Sequence, residues 1–548
     1  MQKLKFLSLL LLVFLWSSCQ TEPKKKNNSD EFGAKEEATY RKALSTLASD
    51  ELMGRKPFTE GEDRTLNYLK GAFESLGLEP GNGNSFFQDV PMVEIKNSFK
   101  DDKVIITKGK AKIELDYLTD IVGGTRRVVE DQKIEGVEMV FVGFGIDAPE
   151  YHWNDYEGID VKGKIVVVMI NDPGFYNSDL FRGKDVTYYG RWTYKFEEAA
   201  RKGAEGVLII HDTKPAAYDW SVVRSSWSKS KLFLQTENDN MNFCALEGWV
   251  SGPAADKLFN LAGIKDSKEL FEKAKQPGFK PVSLGATLNL TLKNEIKKSV
   301  SRNVLAKITG NERADEFLIF SAHWDHFGVG EKIDGDSIYN GAADNATGVA
   351  ALLALAEKFK ESPKLERSLL FFSPTGEEAG LLGSEYYATH PIYPLNKTVV
   401  DINFDVLQPF GLMKDIFIIG KGQSEVDAYL EKEAEKEGRI VRAVDDPSDG
   451  WYYRSDHFNF AKVGVPTLYV ANGMNSFEHG EEWGIRQKEE YTRLRYHKPQ
   501  DNYDASWDVS GTMADLKLIY RVGQNLGNSS DFPKWNDGVM YKRIREKQ

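Results

Sequence analysis

Phe317-Leu-Ile-Phe-Ser-Ala-His-Trp-Asp325 is a short apolar run that ends in a histidine and an aspartate. A run of this kind reads as a strand buried on both faces. Ser368-Leu-Leu-Phe-Phe372, Val399-Val-Asp-Ile-Asn-Phe404 and Pro466-Thr-Leu-Tyr-Val470 repeat the pattern, and all four alternate with helical segments over 348–359, 379–388, 426–437 and 513–526. Strands that alternate with helices predict an α/β fold, a mainly parallel sheet covered by helices on both faces. In such sheets ligands gather beyond the carboxyl ends of the strands. His323 stands at one such end.

Several other potential metal ligands sit at or just after these runs. Glu377-Glu378 follows Ser368–Phe372 through Ser-Pro-Thr-Gly, Asp405 closes Val399–Phe404, and Asp344 opens Asp344-Asn-Ala-Thr-Gly348 just ahead of a predicted helix. His497 lies in the polar loop Arg495-Tyr-His-Lys-Pro-Gln-Asp501. An imidazole ligand needs its other ring nitrogen fixed, and the carboxylate of Asp325 is placed to do that for His323. A carboxylate such as Asp344 can bridge two cations through its two oxygens. Adjacent carboxylates at a turn point in different directions, so one of Glu377 and Glu378 can bind metal while the other handles protons. Two histidines and three carboxylates form a nitrogen and oxygen set suited to zinc, and sharing Asp344 gives two sites of three protein ligands each. Sites that keep room for water belong to catalysis, not to a structural staple.

The joint order of these residues resembles the zinc exopeptidases of peptidase family M28 across about 303–526, with weaker similarity over 36–90. The likeness rests on Ser321-Ala-His-Trp-Asp-His-Phe-Gly328, Asn340-Gly-Ala-Ala-Asp-Asn-Ala-Thr-Gly348, Thr375-Gly-Glu-Glu-Ala-Gly-Leu-Leu-Gly-Ser384, Asn403-Phe-Asp405 and Tyr496-His497. It implies two zinc ions, one held by His323 and Asp405 and the other by Glu378 and His497, with Asp344 between them. Glu377 is then the general base and Ser455-Asp-His457 a pocket wall or a support behind the ligands, while Asp325, the expected partner of His323, is counted with Glu377 among the catalytic residues. Ala343 departs from the family, which commonly has a second aspartate there. The implied substrate is a peptide trimmed from one end, by an aminopeptidase in the first instance and by a carboxypeptidase or dipeptidase as the alternative. Glutaminyl cyclase-like and metal-free receptor-like relatives are further alternatives. His323-Trp-Asp-His326 also matches part of a metallo-β-lactamase signature, but Ser321 replaces its first histidine and that fold leaves Glu377-Glu378 unused. His326 is therefore expected behind the ligands or at the surface.

At 548 residues the chain exceeds one ordinary hydrophobic core, so more than one folded unit is expected. Residues 1–19 combine Lys3 and Lys5, a short apolar run and small residues before Cys19, the pattern of an exported lipoprotein whose cysteine carries the lipid. Such a protein would be periplasmic or at the cell surface, touching membrane through that lipid. Residues 20–33 form a tether, 34–125 the first part of the peptidase domain, 298–527 its catalytic part and 528–548 a C-terminal tail. Residues 126–297 resemble a β-rich protease-associated insert, on Asp155-Tyr-Glu-Gly-Ile-Asp-Val-Lys-Gly-Lys164 and Glu197-Glu-Ala-Ala-Arg-Lys-Gly-Ala-Glu-Gly-Val207. Cys244 has no internal partner to pair with and suits a small buried apolar position. A net charge of −12 argues against general nucleic-acid binding, which needs a basic excess.

Overall fold

The computed structural model describes residues 32–101, 103–444 and 450–548. The expected signal sequence, Cys19 and the tether up to position 31 lie outside the described residues. Arg367–Ser373, Arg313–Ser321, Thr398–Phe404 and Thr467–Asn472 form the middle of the main sheet in that spatial order, each parallel to its neighbours. On one side Val282–Ile308 runs antiparallel to Arg367–Ser373. On the other, Asp415–Ile419 runs antiparallel to Thr467–Asn472 and carries Ile440–Ala443 in parallel beyond it. The parallel part read from the apolar runs is thus the centre of a mixed sheet.

Alternation explains why those runs are apolar throughout. Leu318, Phe320, Leu369, Phe371 and Ile402 pack against the helices Ala34–Leu47, Glu60–Ser75, Thr347–Glu361 and Ser510–Asn528. Phe317, Ile319, Leu370 and Phe372 pack on the opposite face with Tyr387 and Phe460, from the helices Leu382–Thr389 and His457–Lys462. Both faces are covered, so neither parity of the strand can be polar. The helix expected over 379–388 begins later, at Leu382, because Leu381 has a left-handed backbone (φ 63°). The residues before it form a turn, closed by Gly380 and Leu381 amides donating to the Glu377 carbonyl.

Strands Asp131–Phe141, Ile165–Met169, Gly206–Ile210 and Leu246–Val250 run parallel in that order, with Ile121–Gly124 antiparallel at the edge. Helices Trp192–Arg201 and Gly252–Leu261 accompany them, so the stretch expected to be β-rich is itself a mixture of strands and helices. One long strand joins it to the main sheet. Val282–Ile308 pairs first with Asp131–Phe141, then with Phe87–Phe99, and last with Arg367–Ser373, and it continues without a break across position 297. The segment expected as a tail is packed: Trp535 and Tyr541 are buried, and the Trp535 indole donates to the Gly464 carbonyl at 2.8 Å. Cys244 is buried with a free thiol. Among the described residues no helix is long and apolar enough to cross a membrane.

Phe371 lies at the centre of the larger core, its ring 5.6 Å from Phe320 and 6.4 Å from Phe73. Phe371→Ala removes a fully buried ring and should lower unfolding free energy by about 3–5 kcal/mol in urea titration. A loss below about 1 kcal/mol would mean that this ring is not part of the packed core.

Candidate metal centre

Because the central strands run the same way, their carboxyl ends deliver side chains to one edge. Arg313–Ser321 leads to His323, Arg367–Ser373 to Glu377 and Glu378, and Thr398–Phe404 to Asp405. Asp344 lies just ahead of the helix Thr347–Glu361, after a peptide with Gly341 in the left-handed region (φ 55°). A Cβ at Gly341 would fall 2.1 Å from the Asp344 carbonyl oxygen, so the turn requires glycine. His497 approaches from the loop after the helix Glu481–Leu494.

The five expected ligands meet. His323 Nε2 is 3.3 Å from Asp344 Oδ1 and 3.3 Å from Asp405 Oδ1. On the other side, His497 Nε2 is 3.1 Å from Asp344 Oδ2 and 3.4 Å from Glu378 Oε2. Donors about 2.0–2.1 Å from a tetrahedral zinc stand roughly 3.3 Å apart, which is the spacing found on both sides. The two oxygens of Asp344 therefore face two separate donor sets.

The supports behind these groups differ in part from expectation. His323 Nδ1 lies 3.1 Å from the main-chain carbonyl of Asp325, not within reach of its carboxylate, which is 3.9 Å away. A carbonyl has no proton to give, so Nδ1 donates, and with the ring neutral, as metal binding requires, Nε2 would present its lone pair to the Asp344 and Asp405 side. The Asp325 carboxylate instead accepts the Glu377 main-chain N–H at 3.1 Å. It fixes the glutamate, not the histidine. At Ala343 the turn is held through its backbone: the amides of Ala343 and Asp344 both donate to the buried Asp501 carboxylate, at 3.0 and 3.1 Å. Asn345 Nδ2 donates to the Phe404 carbonyl at 2.8 Å and so ties the Asp344 turn to the strand that bears Asp405.

Arg55, buried under this turn, donates to the carbonyls of Leu47, Trp324, Asn340 and Gly341. His326 is buried, not at the surface, with Nδ1 2.6 Å from Glu378 Oε1. Ser455, Asp456 and His457 are buried as well, and Ser455 Oγ accepts from Asn403 Nδ2 at 2.7 Å. None of these three lines the cavity, so they stand behind its wall. Sequence reasoning missed Asp501 and Arg55. Asp501 had a weak signal, being four residues after His497 in the same loop, while nothing local marks Arg55.

Charge in this region is strongly unbalanced. Burial raises Glu377 and Glu378 well above the usual carboxyl range, and the neighbouring carboxylates push the same way. Burial alone would lower His323, but Glu377, Asp344 and Asp405 hold it well above an ordinary imidazole. Asp344 is held well below its ordinary value, against burial, by His323 and His497. Burial pushes Asp456 and Asp501 up to about 7 and His326 down to about 3. A buried cluster of carboxylates with imidazoles is costly unless cations balance it. Divalent zinc fits both the donor chemistry and this charge.

Glu377, Asp405, Asp344 and His497 border a cavity of about 350 Å³, whose apolar wall includes Phe417, Ile419 and Trp451. A recess beside two converging donor sets suits metal-assisted hydrolysis. Residues 303–520 match the family described as Peptidase family M28.

Among known proteins, a probable glutamate carboxypeptidase of Arabidopsis thaliana is 23% identical over 77% of this chain and 59% of its own length. A probable lipoprotein aminopeptidase of Mycobacterium tuberculosis is 26% identical over 46% of this chain and 51% of its own. The chain thus spans little more than half the length of these curated relatives. An aminopeptidase from Aneurinibacillus sp. strain AM-1 of known structure aligns over 91% of this chain and 95% of its own, with 18% identity and a TM-score of 0.45.

Arg55→Met leaves four carbonyls without their donor in a buried, negatively charged place. At about 1–3 kcal/mol for each orphaned polar group, relaxation included, the loss in denaturant unfolding should exceed about 3 kcal/mol. Arg55→Lys should not restore it, since one ammonium cannot replace a planar fork. An unchanged unfolding midpoint in both variants would contradict this role.

Proposed function

We propose that the chain is an exported two-zinc aminopeptidase. The observation that carries this reading is the split of Asp344, with Oδ1 toward His323 and Asp405 and Oδ2 toward His497 and Glu378. His323, Asp405 and Asp344 would hold one zinc, and Asp344, Glu378 and His497 the other. Zinc in such sites supplies Lewis acidity and lowers the pKa of a water toward neutrality.

The chain's own residues do the rest. Glu377, with Oε2 3.9 Å from His323 Nε2 and its main chain fixed by Asp325, takes the proton of the attacking water at its carboxylate and passes it to the leaving amine. The apolar wall of the cavity receives a side chain of the peptide and excludes water from it. Residues 126–297 act in this reading as a protease-associated module that restricts access to the cavity. In support, Tyr453 Oη donates to the Val186 carbonyl at 3.0 Å, two residues from Trp451 in the wall. Export with a lipid on Cys19 accords with the word lipoprotein in the name of the mycobacterial relative.

A second reading is carboxypeptidase activity. Arg454 and Lys488 border the cavity, and cations there suit a terminal carboxylate. The Arabidopsis relative bears that name. Peptides blocked at one end or the other separate the two. The zinc-loaded protein should trim C-terminally amidated peptides and leave N-terminally acetylated ones intact; the reverse pattern would replace the first reading with the second. Glu377→Gln should keep zinc content and peptide binding while kcat falls by about 10²–10⁴-fold. Loss of zinc in that variant would move Glu377 from proton transfer to metal binding.

A further inference from the structure

We infer that His326 is a positioning residue for the second cation site: its ring holds one oxygen of Glu378 so that the other stays turned toward His497 and Asp344. The inference rests on the two-zinc reading. Glu378 lies between two histidines, with Oε1 2.6 Å from His326 Nδ1 and Oε2 3.4 Å from His497 Nε2. A glutamate side chain has several rotatable bonds, and nothing in Glu378 alone decides which oxygen faces Asp344. A neighbour on one oxygen decides it.

His326 also offers a donor atom within 4.8 Å of Asp344 and Glu378, so direct ligation is the competing role. Two observations favour positioning. His497 already completes a three-donor set with spacings suited to zinc, 3.1 Å to Asp344 and 3.4 Å to Glu378. The 2.6 Å between His326 and Glu378 is, moreover, shorter than the roughly 3.3 Å between two ligands of one tetrahedral zinc. It is close to the length of a charge-assisted hydrogen bond. The atoms touch without full hydrogen-bond alignment, and among the described residues neither ring nitrogen of His326 nor Oε1 of Glu378 has a hydrogen-bond partner. The ring proton then sits on Nδ1, toward Oε1.

The surroundings keep the ring in place. His326 is buried, its main-chain N–H donates to the Arg55 carbonyl at 3.3 Å, and Phe327 meets the ring edge-on at 4.8 Å. A Cβ on Gly341 would come within 2.6 Å of the ring atoms Cγ and Cδ2, so the glycine that shapes the Asp344 turn also makes room for this histidine. One turn thus sets the shared ligand and seats the group that orients its neighbour.

The test is a zinc titration of the metal-stripped protein, followed by calorimetry, for the parent, His326→Leu, His326→Asn and His326→Gln. The parent should bind two zinc ions. His326→Leu should keep one affinity and lose about 10–100-fold in the other, the usual effect of removing a hydrogen-bond partner from a ligand. His326→Asn, whose amide N–H can stand where Nδ1–H stood, should recover part of that loss, whereas His326→Gln, one bond longer, should not. Equal affinities in all four proteins would overturn the inference while leaving the two-zinc reading intact. If His326→Leu does not fold, the comparison of Asn with Gln decides alone, and equal affinities there overturn it too. X-ray absorption of the zinc-loaded proteins should count the same imidazole ligands in the parent and in His326→Asn; one fewer in the variant would make His326 a ligand and overturn positioning. A parent that binds fewer than two zinc ions would overturn the reading beneath it as well.

Discussion

The site depends on the placement of one carboxylate between two sets of donors. Asp344 has its oxygens 3.3 Å from His323 and 3.1 Å from His497, and every nearby feature bears on that orientation. Asp501 accepts the amides of Ala343 and Asp344, Arg55 holds the carbonyls of Asn340 and Gly341, and Asn345 binds the carbonyl of Phe404. These supports come from the N-terminal part of the chain, from the turn itself, from a central strand and from the loop of His497. A site assembled so widely requires the whole fold to be in place.

The middle of the chain belongs to the same assembly through shared elements. Val282–Ile308 pairs both with strands of the middle region and with the central parallel strands, and the Trp451–Tyr453 turn touches both sides. Its Trp451 borders the cavity, while Tyr453 Oη donates to Val186. Behind that turn, Lys462 Nζ donates to Glu197 at 2.9 Å, and the Tyr188 ring meets Phe458 edge-on at 4.9 Å. A half-buried ion pair of this kind helps to hold the turn against the middle region. The wall of the cavity therefore takes part of its position from the middle region.

The central strands and their helices were legible in the sequence because burial on both faces leaves no polar position, as Phe317–Phe320 and Ser368–Phe372 show. The residues that meet at the site were legible because each follows the end of a strand or a turn. The borders of the sheet were not, since an antiparallel neighbour such as Val282–Ile308 has one exposed parity and a diluted apolar signal. Asp325 was assigned to His323 because the two are close in sequence; the fold instead leaves that carboxylate 3.9 Å from the ring and 3.1 Å from the distant Glu377 amide. The place of His326, behind the ligands or at the surface, stayed open in the sequence because its partner is more than fifty residues away; adjacency to His323 says nothing of Glu378. Arg55 was invisible for the same reason, its acceptors being carbonyls, which every residue has.

The central claim is that two cations share Asp344, and anomalous diffraction at the zinc edge from crystals grown with zinc tests it most directly. The account predicts two peaks in each chain, one among His323 Nε2, Asp344 Oδ1 and Asp405 Oδ1, the other among Asp344 Oδ2, Glu378 Oε2 and His497 Nε2. A single peak in fully loaded crystals, or a second peak that does not touch Asp344, would contradict it.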